Sequence, residues 1–288
     1  MQPRRILMIG CGLIGTSMAL AIRGKNSDAR VDGVEVSHRH LALATDSGAY
    51  QQVYSSFPDN SYDLAVLAVP IQAACALLPE AASKATFVMD VCSVKTPICQ
   101  LASELALSER FVPSHPMAGN SGQGPASADK SLFRDRPWIL VEDWPACHAL
   151  APWIESFDSR IEWVESAEQH DAAMAAVSHG IHLMSVTAML AAAFEADNSD
   201  ATNWKLLTGP GFRDVTRLSQ SPHDFWVPTL MANKQSVGRY LKAARDTMME
   251  IERCLEAEDN EALARVLKAA KSAKDAWTTA KTQSGRDV

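Results

Sequence analysis

A chain of 288 residues, 47% hydrophobic and 21% charged, is long enough to bury one large core or two ordinary ones. Its formal net charge of −7 argues against a protein that tracks nucleic-acid phosphates, which needs a basic face. The basic start, MQPRRILMIG, offers only four apolar residues before Gly10, too few for a signal-peptide core, and the alanine-rich stretch around 172–194 is broken by His179 and His182, so neither export nor a membrane span is expected. Six cysteines (Cys11, Cys75, Cys92, Cys99, Cys147, Cys254) lack CxxC spacing and read as free thiols of a reducing, cytoplasmic compartment.

In chain order, residues 5–9 (RILMI) predict a strand and 16–24 (TSMALAIRG) a helix. Between them stands Gly10-Cys11-Gly12-Leu13-Ile14-Gly15. A lone GxGxxG is weak evidence, but a strand before it, a helix after it and an acidic residue about twenty positions on are the context a dinucleotide loop requires. The first glycine makes the turn, the second lets backbone approach a pyrophosphate, and the third permits close helix–strand packing. The free N–H groups at the helix start, around Leu13 and Ile14, then receive the anion. Residues 30–36 (RVDGVEV) predict a second strand carrying Glu35, whose carboxylate would accept ribose hydroxyls and repel a 2′-phosphate; NAD is therefore favoured. Ser37 and Arg39 follow closely and would hold that phosphate instead, which keeps NADP as the alternative.

Residues 63–69 (DLAVLAV) and 86–91 (TFVMDV) predict further buried strands, the first delivering Val69 and Pro70 to the cofactor side. Residues 136–141 (RPWILV) and 161–164 (IEWV) close the sheet. Strands spaced by alanine-rich helices imply an α/β, Rossmann-type doubly wound parallel sheet over residues 1–165. Within it, SHPMAGNSGQG (114–124) places His115 before a proline, which restricts the preceding backbone to extended conformations, and follows it with Gly119, Gly122 and Gly124. Such a loop is expected to serve a site.

After about residue 166 strand-like runs cease, and residues 166–288 predict an all-helical domain. Val237, Leu241, Ala244, Met248, Ile251 and Leu255 step by alternating fours and threes, a seam that fits either an intrachain helix pairing or a dimer contact. His179 and His182 are three apart and share a helix face, but no third ligand has suitable spacing, so no metal is expected and His179 reads as a satisfied structural histidine.

Four motifs, DVCSVKTP (90–97), SHPMAGNSGQG, HDAAMAAVSHGIH (170–182) and GFRDVTRLSQSPHDFW (211–226), together with the glycine loop, resemble the prephenate/arogenate dehydrogenase family of tyrosine biosynthesis across roughly residues 5–260. The resemblance implies an NAD(P) domain joined to a helical domain that forms a homodimer, and hydride transfer with loss of CO₂ from a small-molecule substrate. It makes His115 the catalytic histidine, suited by a pKa near neutrality. Ser93 becomes the serine that bonds the same hydroxyl and orients that histidine. Arg217 would grip a substrate carboxylate, with Arg213 a scaffold partner of Asp214. His182 would bind substrate, His170 would lie near the active site, and Trp226 would wall the pocket. Many relatives carry an acid two positions after HPMAG, where Asn120-Ser121 stand here; its absence favours prephenate over an ammonium-bearing arogenate. Arogenate or dual use is the first alternative, a 4-amino-4-deoxyprephenate enzyme a more distant one. Hydroxyacid and imine reductases share the architecture, and a non-catalytic NAD sensor is the alternative from another class.

Overall fold

The computed structural model describes residues 2–26, 28–120, 122–198 and 204–283. The first part of the chain alternates strands and helices: β1 (Arg5–Ile9), α1 (Leu13–Lys25), β2 (Arg30–Val34), α2 (His38–Asp46), β3 (Gln52–Tyr54), β4 (Tyr62–Leu67), α3 (Ile71–Lys84), β5 (Ala85–Asp90), α4 (Thr96–Glu104), β6 (Phe111–Pro116), β7 (Pro137–Val141), α5 (Pro145–Glu155) and β8 (Arg160–Val164). One eight-stranded sheet runs β3-β2-β1-β4-β5-β6-β7-β8. Ile6–Ile9 and Leu64–Leu67 are buried without alternation, as expected of central parallel strands covered on both faces.

Two departures from expectation bear on the site. The pairing of β6 with β7 is antiparallel, with His115 opposite Ile139, so β7 and β8 run against the other strands. And SHP, expected within a loop, forms the end of β6. Two prolines make FVPSHP read as a break in the sheet. Yet proline and the residue before it both prefer extended backbone, and register with β7 from Ser114 to Pro116 holds the stretch as a strand. His115 therefore stands on a sheet rather than on a mobile connection.

From Ser166, whose hydroxyl accepts from Gln169 N at 3.2 Å, the chain is helical. It forms α6 (Ala167–Met174), a π-helical turn at Ala175–His179, α7 (Gly180–Asn198), α8 (Pro210–Thr216), a 3₁₀ turn at Arg217–Gln220, α9 (His223–Ala232), α10 (Lys234–Glu256) and α11 (Asn260–Gln283). Strands give way to helices between Val164 and Ala167, while the first compact unit continues to Val237; a second unit starts at Gly238.

Of the α10 seam, Val237 is buried and Ala244 and Ile251 are half-buried, while the other three members stay exposed. Leu241 and Met248 are exposed and Leu255 is 61% exposed. On α7, Leu190 and Phe194 are likewise exposed. The helical run Ala167–Ala196 is long and apolar enough to cross a membrane by length and composition. It nevertheless carries His170, Asp171, His179 and His182, all buried against the protein.

Candidate active site

The turn between β1 and α1 is built around Gly10, whose φ of +94° suits glycine and whose hypothetical Cβ would lie 2.4 Å from the Ala68 carbonyl oxygen. Gly12, by contrast, has nothing within 4 Å of a Cβ position, which leaves its backbone open to close approach by a ligand. Leu13 and Ile14 open α1 just beyond. Glu35 follows β2, and its carboxylate is already oriented: Oε2 accepts from Cys11 N at 3.1 Å and Oε1 from Ser37 N at 2.8 Å. Ser37 caps α2, Arg39 is exposed, and Val69 and Pro70 lead into α3 at the end of β4. An open glycine turn on a helix N-terminus, beside a fixed carboxylate at the end of the neighbouring strand, fits the pyrophosphate and ribose of a dinucleotide.

His115 sits at the carboxyl end of β6, on the same edge of the sheet as the glycine turn. Its Nδ1 lies 3.0 Å from His170 Nε2. His170 Nδ1 lies 2.8 Å from Asp171 Oδ1, and the Asp171 carboxylate also accepts from the backbone N–H groups of Lys95 (2.7 Å) and Thr96 (2.9 Å) where α4 begins. Lys95 is fully buried; its ammonium pairs with Asp90 and donates to the Ser114 carbonyl at 2.7 Å. Asn233, between α9 and α10, donates to the Asp171 carbonyl at 2.7 Å and lies 3.1 Å from His179 Nδ1. His182 stacks on Trp226 with centroids 3.7 Å apart and planes at 6°. The turn carrying Arg217 is tied to α7 through Ser219 N and Ser185 Oγ at 3.1 Å, one helical turn beyond His182.

Burial dominates the electrostatics. It drives the His115 pKa well below the ordinary value, assisted by His170, Lys95 and His179. Burial also lowers His170 against the opposing pull of Asp171, and lowers His179 to about 4. Burial opposes the charge of Asp171, but the hydrogen bonds from His170, Thr96 and Lys95 outweigh it and keep the carboxyl below its usual range. The imidazoles are therefore neutral and Asp171 is ionised at neutral pH. Arg217 is exposed, with no ion pair among the described residues, and is left free to meet an anion.

Two sequence families cover most of the chain: "Prephenate dehydrogenase, nucleotide-binding domain" matches residues 18–157 and "Prephenate dehydrogenase, dimerization domain" matches 166–269. A cyclohexadienyl dehydrogenase from Zymomonas mobilis is 30% identical over 242 residues, covering 80% of this chain and 81% of that protein. The chain belongs to the prephenate dehydrogenase family. A prephenate dehydrogenase from Bacillus subtilis is 29% identical over 283 residues, 94% of this chain and 75% of that protein. Among solved structures, a prephenate dehydrogenase from A. aeolicus in complex with hydroxyphenyl propionate and NAD⁺ superposes with a TM-score of 0.83 at 23% identity, covering 95% of this chain and 97% of that one; at that identity the likeness speaks for the fold.

Within this prephenate dehydrogenase fold, the expected residues fall into three groups. Gly10, Gly12, Leu13, Ile14, Gly15, Glu35 and Ser37 surround one turn. His115 and His170 are in direct contact, and His182 and Trp226 form one stack. Others stand differently from expectation. Ser93 makes no hydrogen bond to His115 among the described residues, and it is His170 that engages the His115 ring, at Nδ1. Asn120 accepts from Gly122 N at 2.8 Å and donates to the Ser127 carbonyl at 3.0 Å, so both ends of its amide organise its own loop. Ser121 lies outside the described residues. Arg213 is exposed, with no ion pair to Asp214. His179, expected to be satisfied, is met at Nδ1 by Asn233, but its buried Nε2 has no partner among the described residues. Asp171 and Asn233 were not anticipated. The only hint of Asp171 in the sequence is its position beside His170, and Asn233 is 54 positions from the histidine it meets.

Proposed function

We propose that this family member catalyses the NAD-dependent oxidative decarboxylation of prephenate to 4-hydroxyphenylpyruvate and CO₂, acting as a cytoplasmic homodimer. The observation that carries the reading is the shared edge of the sheet. The glycine turn after β1 and His115 at the end of β6 both lie at the carboxyl ends of parallel strands, where open α/β sheets bind their ligands. When bound, NAD supplies the hydride acceptor. His115 Nδ1 is engaged by His170, so Nε2 is the nitrogen that takes the proton of the substrate's ring hydroxyl. As the hydroxyl carbon gives up its hydride and becomes carbonyl-like, the bond to the ring carboxylate breaks. Its electron pair completes the aromatic ring and CO₂ departs. Arg217 holds a carboxylate through its planar donors, and the His182–Trp226 stack walls the pocket. The exposed members of the α10 seam, and a domain named for dimerisation, support the homodimer. Six unpaired cysteines support a reducing compartment.

The arogenate reading has one support, the cyclohexadienyl dehydrogenase relative; against it, the Asn120 amide is occupied and offers no acid to an ammonium. Purified protein supplied with prephenate or arogenate and with NAD or NADP separates them by the rate of nicotinamide reduction. Faster turnover of prephenate with NAD is expected. Equal rates with both ring compounds would establish dual use, and a preference for NADP would move the control of the nucleotide pocket from Glu35 to Ser37 and Arg39.

A further inference from the structure

We propose that Asp171 and His170 are positioning residues that fix the tautomer of His115, holding its proton on Nδ1 and its lone pair on Nε2. The inference rests on His115 being the proton acceptor and explains why that ring presents the right nitrogen. A neutral imidazole side chain free in water prefers its proton on Nε2, which would make the projecting nitrogen a donor and useless as a base.

The assignment follows link by link from what each atom can do. Asp171 receives two backbone N–H groups, from Lys95 and Thr96, and a carboxylate so held only accepts. The hydrogen between Asp171 Oδ1 and His170 Nδ1 therefore belongs to His170. A neutral His170 protonated on Nδ1 has a bare Nε2, and that bare nitrogen faces His115 Nδ1 at 3.0 Å. The hydrogen in this contact must be His115's, which leaves His115 Nε2 with its lone pair. The same logic governs carboxylate–histidine pairs in general, where the acid orients the ring and stabilises the imidazolium without taking the proton.

Both ends of this relay are pinned by one residue. Through its backbone N–H Lys95 holds Asp171, and through its ammonium it holds the carbonyl of Ser114, the residue before His115. Asn233 adds a third anchor at the Asp171 carbonyl. When His115 accepts a proton, its Nδ1–H stays bonded to His170 and the nearby carboxylate offsets the new charge; nothing further need transfer.

The test is ¹⁵N NMR of histidine-labelled protein, with the His115 signals identified by their absence in His115→Asn. Wild-type protein is expected to show His115 protonated on Nδ1. In His170→Leu the acceptor is gone, so the Nε2–H form should appear and kcat should fall about 10²-fold, with KM for the ring substrate little changed. His170→Gln, which restores an acceptor oxygen, should recover part of both. A wild-type His115 protonated on Nε2 would overturn the proposal even if neither His170 variant folds. So would a His170→Leu enzyme with unchanged tautomer and turnover. Should His115→Asn itself turn over normally, the reading of His115 as the base fails, a result distinct from failure of the relay.

Discussion

His115, His170 and His179 are all held neutral by burial, and this sets how the protein answers acid. Each has a folded pKa below its unfolded value, so the unfolded chain binds more protons and stability rises with pH across the interval between the two. Unfolding free energy measured by denaturant titration should be level above about pH 6.5 and fall as the pH drops from there towards about 4, the value to which His179 is lowered. Asp171, whose pKa is also depressed, works in the same sense over a more acidic range; its stabilisation persists through that interval and is lost only in stronger acid. Stability constant down to the lower limit would mean the imidazoles are not sequestered. At the same scale, Glu35→Ala removes the acceptor of Cys11 N and Ser37 N. NAD affinity should weaken by about tenfold, roughly 1.4 kcal/mol, while NADP loses its repulsion, so titration with the two cofactors should show narrowed discrimination. Arg217→Ala should raise KM for the ring substrate by about 10- to 100-fold, as expected for a lost charge-assisted hydrogen-bond pair, and leave NAD binding intact.

At the scale of elements, the glycine turn makes a paired prediction because its glycines are needed for different reasons. Gly10→Ala places a Cβ 2.4 Å from a backbone oxygen at positive φ and should cost about 2–4 kcal/mol of stability, read by thermal unfolding. Gly12→Ala meets nothing within 4 Å, so it should fold as wild type yet bind NAD poorly. The central strands, the turn and Glu35 were legible because uninterrupted apolar runs and glycine spacing are local signals. The strand β6 was not: its prolines argue against a ladder, and only register with β7, a contact remote in sequence, makes His115 part of the sheet. The relay was half legible. His170 could be singled out as a histidine near the site. Its partners could not, because Asp171 is held by backbone N–H groups 75 and 76 positions away. The π turn at Ala175–His179 has no sequence signature either, yet it ends at the histidine whose Nε2 has no partner among the described residues, and π insertions are frequent at functional sites.

For the whole molecule, the seam read from spacing alone left two partners open, and the exposure of Leu255, Met248 and Leu241 favours a second copy over an intrachain helix. Light scattering should give a dimer mass for the wild type, and Met248→Glu with Leu255→Glu should shift it toward the monomer; a wild-type monomer at micromolar concentration would return the seam to an unoccupied face. The nucleotide turn and the histidine relay share one sheet edge, so the two halves of the reaction, accepting hydride and accepting proton, are separable by mutation. The most direct measurement is prephenate-dependent reduction of NAD by wild type and His115→Asn, with NAD binding measured in parallel. Turnover in the variant should fall by about 10²- to 10⁴-fold while the dissociation constant for NAD stays put. A His115→Asn enzyme that reduces NAD at the wild-type rate would contradict the account.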